Sequence, residues 1–184
     1  PFLKELKQNN NRNWFKARKE KFDKLRFNVQ DFANDLFGAL VDSNQLGGHK
    51  VFRIYKDVRF SKDKTPYKTH FGIGFHRIKP QFRGGYYLHL EPGNTFLATG
   101  FWQPNKEDLF RLRKEIEYDH LEFSKMVNQP KLKKAWGDLK GEQLKTCPKG
   151  FDKEHEAIKY LRYKQFLFHK EIEDNNPFKS DFKD

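Results

Sequence analysis

Cysteine is almost absent from this chain of 184 residues, and so is any long hydrophobic run. The single cysteine, Cys147, has no partner for an internal disulfide, so we expect a reducing compartment and a cytoplasmic protein. No stretch of about 18 apolar residues occurs, which excludes a membrane-spanning helix. Pro1-Phe2-Leu3 is not the start of a signal peptide, and because the first methionine is Met126, we expect the natural start to lie upstream.

Familiar catalytic and cofactor motifs are also missing. The sequence has no phosphate-binding Gly-x-x-x-x-Gly-Lys-Ser/Thr loop, no Gly-x-Ser-x-Gly elbow and no His-Glu-x-x-His helix. Gly72-Ile73-Gly74 lacks the third glycine of a dinucleotide fingerprint. The seven histidines show no close metal-ligand spacing, so a metal site would have to be assembled from strands distant in sequence. The sequence therefore predicts neither a cofactor nor a metal ion.

Positive charge is abundant, and its position is more informative than its total. The formal net charge is +12, but lysine outnumbers arginine 27 to 10, whereas nucleic-acid recognition relies more on arginine. Much of the excess lies on predicted helix faces, where it indicates solubility. Residues 53–83 differ, because they hold nine basic side chains against two acidic ones on predicted strands and a tight turn.

The periodicity of apolar residues predicts one α+β domain. Phenylalanine, with 20 residues, supplies the expected core. Helical spacing covers about 12–26 and 28–43, and Gly47-Gly48 is expected to end this region. We predict an antiparallel sheet of about four to five strands, packed on one side by N-terminal and C-terminal helices. The predicted parts are N-terminal helices 1–45, a strand meander 51–102, a helical part 105–163 and a final strand 164–172; the meander strands are 51–60, 69–78, 85–91 and 95–102.

Alternation along these strands predicts a polar sheet face. On strand 51–60 the residues on this face are Arg53, Tyr55, Asp57 and Arg59. On the next two strands they are His70, Gly72, Gly74, His76, Tyr87, His89 and Glu91. Glycine inside a strand often marks a close approach to the backbone, so the two glycines are expected to form the floor of a ligand site. Alternatively, they accommodate aromatic rings from a covering helix.

Three segments carry a family resemblance. The longest is Arg53-Ile54-Tyr55-Lys56-Asp57-Val58-Arg59-Phe60-Ser61-Lys62-Asp63-Lys64-Thr65-Pro66-Tyr67-Lys68. The others are Asn9-Asn10 with Arg12, Trp14 and Phe15, and Pro148-Lys149-Gly150-Phe151-Asp152 with Leu161-Arg162-Tyr163-Lys164. Together they resemble the domain of unknown function 2461 family over essentially the whole chain. The resemblance implies a bacterial or fungal intracellular protein, and the family name records no assigned activity.

Charge, alternation and resemblance select the same strand–turn–strand segment. We predict that it forms a pocket for a phosphorylated or carboxylated small molecule, because arginine and lysine pair with such anions. The predicted ligand-binding residues are Arg53, Tyr55, Arg59, Lys62, Lys64, Tyr67, Lys68, Gly72 and Gly74. A second anion site is predicted at Lys149 and Gly150, where a helix over 153–162 would begin. If the protein is an enzyme, the candidate catalytic residues are Asp57, His70, His89 and Glu91.

Two other functions fit the same sequence. A nucleic-acid-binding protein is suggested by the net charge and by aromatic residues interspersed with lysine. A structural or partner-binding domain without catalysis is the other alternative, because charged residues on a half-exposed sheet are common. The sequence leaves the oligomeric state open.

Overall fold

The structure, a computed structural model, describes residues 2–172. It is an α+β fold, as predicted, with a five-stranded antiparallel sheet in the order β1-β2-β3-β4-β5. The strands are β1 Leu46–Val51, β2 Phe71–Arg77, β3 Gly85–Leu90, β4 Phe96–Phe101 and β5 Phe166–Glu171. The helices of the described residues are α1 Phe2–Gln8, α2 Arg12–Ala17, α3 Lys19–Asn44, α4 Lys106–Tyr118, α5 His120–Val127, α6 Pro130–Trp136 and α7 Ile158–Leu161. Within residues 2–172, no helix combines the length and the apolar character needed to cross a membrane.

Two compact units make up the described chain. The first runs to Leu97 and includes Glu171 and Ile172, and the second is Ala98–Lys170. The prediction of a single domain stays a prediction.

Phenylalanine builds the core of the first unit, as its abundance predicts. Phe71, Ile73 and Phe75 alternate along β2 and turn one face of the strand inward, where each is at most 3% exposed. Phe22 of α3 stacks on Phe71 with ring centroids 6.0 Å apart. Phe15 of α2 stacks on Tyr67 at 4.0 Å. Aromatic contacts thus attach the N-terminal helices to β2 and to the basic motif, residues 53–68.

The second unit has its own smaller core around α4 and α7. Its buried members are Ile116, Val127, Ala157, Tyr160, Leu161 and Phe166. The predicted N-cap of α4 is confirmed, because the Asn105 side chain accepts a hydrogen bond from the Asp108 N–H at 2.8 Å. Aspartate and glutamate in the first turn of this helix also suit its dipole.

The predicted strand over 51–60 is wrong. The strand beside β2 is β1, which ends at Val51, and the chain then leaves the sheet after the Phe52 N–H donates to the Gly72 carbonyl. The alternation that suggested a strand does not correspond to burial, since Ile54 is buried but Phe60 is 96% exposed. In residues 52–60, apolar alternation therefore predicts a strand that the structure does not contain.

Three other boundaries differ from the sequence prediction. Gly47 and Gly48 lie inside β1 and do not end the helical region. Instead, α3 ends at Asn44, and Gln45 caps it in the left-handed conformation with φ 52°. The break between the N-terminal helices falls at Arg18, and the helix predicted over 153–162 is reduced to the four residues of α7.

Candidate functional site

The basic motif folds as an irregular hairpin between β1 and β2. The Lys56 N–H donates to the Pro66 carbonyl at 2.9 Å, and the Lys68 N–H donates to the Ile54 carbonyl at 2.7 Å. Tyr55 and Tyr67 pair as an antiparallel bridge between the two arms. The motif is therefore a separate hairpin and does not extend the sheet.

Asn10 holds the second arm of this hairpin from 57 residues away. Its side-chain amide donates to the Tyr67 carbonyl at 2.8 Å, and its carbonyl oxygen accepts from the Tyr67 N–H at 3.1 Å. The Asn10 side chain thus takes the place of a neighbouring strand for one residue. It provides hydrogen-bond partners for the backbone N–H and carbonyl of Tyr67, which are largely buried.

The turn of the hairpin, residues 57–65, is fixed by its own charged residues. Asp63 accepts hydrogen bonds from the Lys56 ammonium and from both the N–H and the hydroxyl of Thr65, and these bonds lower its pKa. The Lys64 ammonium donates to the Val58 carbonyl at 3.0 Å. Asp57 accepts a bidentate hydrogen bond from the Arg59 guanidinium, which lowers the pKa of Asp57. Several residues of the motif therefore shape the turn.

A groove lies between this turn and the start of α2. Its volume is about 760 Å³, and a second groove of about 440 Å³ shares Arg12, Val58 and Pro66 with it. Among the described residues that line the two grooves, basic side chains outnumber acidic ones five to one: Arg12, Lys16, Lys56, Lys62 and Lys64 against Asp63. Among the described residues, no carboxylate forms an ion pair with Arg12, Lys16 or Lys62. The groove is therefore cationic and rimmed by side chains that can reach a ligand.

Three of the four candidate catalytic residues lie together on the β2–β3 face. Gly72 of β2 pairs with His89 of β3, so His70 and Glu91 project from the same side as His89. One ligand atom from each of His70, His89 and Glu91 lies within 4.8 Å of the others. The fourth candidate, Asp57, is bound to Arg59 in the turn.

Hydrogen bonds fix this cluster in position. Glu91 accepts from the Thr69 hydroxyl at 2.7 Å and from the Asn94 amide at 3.0 Å, and His89 Nε2 lies 3.3 Å from Glu91 Oε2. His89 Nδ1 is 3.1 Å from the Tyr87 hydroxyl. Each bond therefore limits the rotation of a carboxylate or an imidazole ring.

Protonation in the cluster follows from burial and hydrogen bonding. Burial, together with the neighbouring His89, lowers the pKa of His70 to about 4. Burial alone would raise the pKa of Glu91, but the hydrogen bonds from Thr69, Asn94 and His89 outweigh it and lower this pKa to about 2. At neutral pH the His70 imidazole is therefore neutral and Glu91 is a carboxylate.

The expectation of an open glycine floor is wrong. A Cβ on Gly72 would lie 2.6 Å from the Tyr87 hydroxyl, and a Cβ on Gly74 would lie 3.2 Å from the Phe52 ring. The glycines accommodate aromatic rings, as the alternative interpretation expected, although the rings come from β3 and from the residue after β1 and not from a helix. Gly72 and Gly74 make room for packing and do not form an open site.

The other predicted ligand-binding residues lie in two separate parts of the structure. Arg53 and Lys68 lie near each other on the hairpin, where burial and then Arg53 lower the pKa of Lys68. Lys149 and Gly150 lie in the second unit. Gly150 is in the left-handed region with φ 85°, but the helix expected to begin after Asp152 is absent, so no row of helical N–H groups points from this loop.

Sequence reasoning from charge and alternation missed the N-terminal wall of the groove. Arg12 and Lys16 line it, and Asn10 holds its opposite side through Tyr67. A signal for two of them was present, because Asn10 and Arg12 belong to the segment that carries the family resemblance. Asn10 contacts Tyr67 from 57 residues away along the sequence, and no local pattern predicts a contact over that distance.

Replacing Asn10 with alanine is expected to destabilise the protein by about 1–3 kcal/mol, because the Tyr67 N–H and carbonyl lose their hydrogen-bond partner. Urea unfolding followed by circular dichroism measures the change. Asn13→Ala is the control, since Asn13 is exposed and makes no side-chain hydrogen bond to a described residue. Equal stability of the two variants would show that the Asn10 contact does not hold the hairpin.

Comparison with protein families gives a match over the whole chain. Comparison with the curated proteins and with the solved structures found no match. The family model described as "Conserved hypothetical protein (DUF2461)" matches residues 1–184. The match covers α2, which lines the groove, as well as the basic motif and the strands β2 and β3. The chain therefore belongs to the DUF2461 family.

Proposed function

We propose that this protein binds a small phosphorylated or carboxylated molecule in the groove between α2 and the turn of the basic motif. The observation that carries the proposal is the lining of the groove, where basic side chains outnumber acidic ones five to one. Arg12, Lys16 and Lys62 form no ion pair with a described residue, so an anion can bind them without displacing an internal partner.

The size of the groove favours a small molecule. Ligand pockets usually have volumes of about 300–1,000 Å³, and the larger groove has about 760 Å³. Arg12 lines both grooves, and its planar guanidinium can donate two parallel hydrogen bonds to a phosphate or carboxylate. Lys62 and Lys16 supply further positive charge on the walls, while Tyr55 and Tyr67 line the second groove.

The internal bonds of the turn support binding because they fix the walls in advance. Asp63 holds Lys56 and Thr65, Lys64 is tied to Val58, and Asn10 fixes Tyr67. A site whose supporting residues are already ordered loses less conformational entropy when its ligand binds. The proposed division is that these residues build the groove, whereas Arg12, Lys16 and Lys62 contact the anion.

Titration calorimetry with pyrophosphate tests the proposal. We expect the native protein to bind one equivalent and Arg12→Ala to bind at least about tenfold more weakly, because a charge-assisted bidentate contact is lost. Arg26→Ala removes the same charge from an exposed position of α3 that does not line the groove, and it should bind like the native protein. Equal weakening by both variants would mean that net charge alone attracts the anion.

A nucleic-acid-binding function predicts a different result when the protein is titrated with an oligonucleotide. A single-stranded oligonucleotide would then bind with a steep dependence on salt concentration, and pyrophosphate would not compete with it. That outcome would overturn the proposal. Absence of pyrophosphate binding at low salt would overturn it as well.

A further inference from the structure

We propose that His70, His89 and Glu91 form a binding site for a divalent transition metal ion of the zinc type. The site lies on the β2–β3 face and does not depend on the anion groove. Their ligand atoms all lie within 4.8 Å of one another. Imidazole nitrogen and carboxylate oxygen together select Zn²⁺, Co²⁺, Ni²⁺ or Fe²⁺, whereas Mg²⁺ and Ca²⁺ prefer oxygen ligands alone.

The spacing of the ligands suits a small metal ion. Two ligands that bind one ion tetrahedrally at about 2.0–2.2 Å lie about 3.4 Å from each other. His89 Nε2 and Glu91 Oε2 are 3.3 Å apart. His70 completes the set from the residue before β2, with its ring centroid 4.1 Å from that of His89. For one ion to bind all three groups, their ligand atoms, which lie within 4.8 Å of one another, would have to move closer together by side-chain rotation.

Neighbouring residues orient two of the ligands as metal sites require. Metal-binding imidazoles and carboxylates usually make further hydrogen bonds that fix their orientation. The Tyr87 hydroxyl is 3.1 Å from Nδ1 of His89, which leaves Nε2 facing Glu91. Phe96 stacks on the His89 ring with centroids 4.5 Å apart, and Thr69 and Asn94 hold the Glu91 carboxylate. An ordinary surface pair of histidine and glutamate needs none of these contacts.

Burial distinguishes His89 from the other histidines. His89 is 8% exposed, and the side chain of Glu91 is 15% exposed. Hydrogen bonds from Thr69 and Asn94 compensate for the solvation free energy that the Glu91 carboxylate loses on burial. A metal ion bound by three protein ligands would neutralise Glu91 and leave a coordination position for water or another ligand.

Metal titration of untagged protein tests the site. After dialysis against a chelator, the native protein is expected to bind one Zn²⁺, and Co²⁺ should give visible d–d absorption. His70→Gln and Glu91→Gln should each weaken Zn²⁺ binding at least about tenfold, because a lost ligand costs no less than a lost supporting contact. Glutamine is polar, like the histidine and the glutamate that it replaces. These two variants therefore test the site without His89→Ala, which would leave a cavity at a buried position.

His76→Gln is the control, because His76 is exposed on the same strand and lies outside the cluster. It should bind Zn²⁺ like the native protein. Absence of binding at micromolar Zn²⁺, or equal weakening by all three variants, would overturn the proposal.

Discussion

Replacing Phe15 with alanine is expected to lower the free energy of unfolding by about 3–5 kcal/mol. Phe15 is 2% exposed, and its ring lies 4.0 Å from Tyr67 and 5.0 Å from Phe22, measured between centroids. The substitution therefore opens a cavity where α2, α3 and the basic hairpin meet. Equilibrium unfolding in urea, followed by tryptophan fluorescence and circular dichroism, measures the loss.

The control for this change is Phe27→Ala. Phe27 is 66% exposed on α3, so its removal should change stability by no more than about 0.5 kcal/mol. Because Tyr67 also lines the second groove, Phe15→Ala should loosen that wall and weaken pyrophosphate binding as well. A loss of stability below about 1 kcal/mol for Phe15→Ala would contradict the assignment of this ring to the core.

Replacing Gly85 with alanine is expected to destabilise the protein by about 3 kcal/mol or more. Gly85 pairs with His76 across β2 and β3, and an added Cβ would lie 2.1 Å from the carbonyl oxygen of Phe75. A backbone carbonyl in a sheet cannot turn aside as a long side chain can, so the strands must separate at this point. The midpoint of thermal or urea unfolding measures the effect.

Gly38→Ala provides a control of opposite sign. Gly38 lies in α3, nothing comes within 4 Å of an added Cβ, and alanine favours helix over glycine. The variant should gain about 0.5–1 kcal/mol. Equal stability of Gly85→Ala and the native protein would contradict the close approach of Gly85 in β3 to the Phe75 carbonyl in β2.

The regular parts of the fold could be predicted because their signals are local. Alternation along β2 and β3 identified two strands and placed His70, His89 and Glu91 on one face. Asn105 was recognised as an N-cap from its position before Glu107 and Asp108. These patterns depend on residues only a few positions apart, which is the range over which strand alternation and capping act.

The basic hairpin could not be predicted because its structure is set by distant residues. The alternation of Phe52, Ile54, Val58 and Phe60 is typical of a strand, but within residues 2–172 no strand pairs with this segment beyond Phe52. Contacts with Asn10 and Phe15, and not strand pairing, fix Tyr67. No pattern in the sequence near the motif indicates either contact. The distance between His70 and Glu91 could not be predicted for a similar reason, because it depends on the pairing of β2 with β3.

Mapping the anion site by NMR tests the proposed function most directly. In a titration of uniformly labelled protein with pyrophosphate, the backbone amide resonances of residues 10–16 and 58–67 should shift together and saturate, because these segments line the groove. Resonances of the loop Pro148–Asp152 should stay unchanged. Shifts confined to that loop, or no saturable shifts in the groove segments, would contradict the assignment of the groove as the anion-binding site.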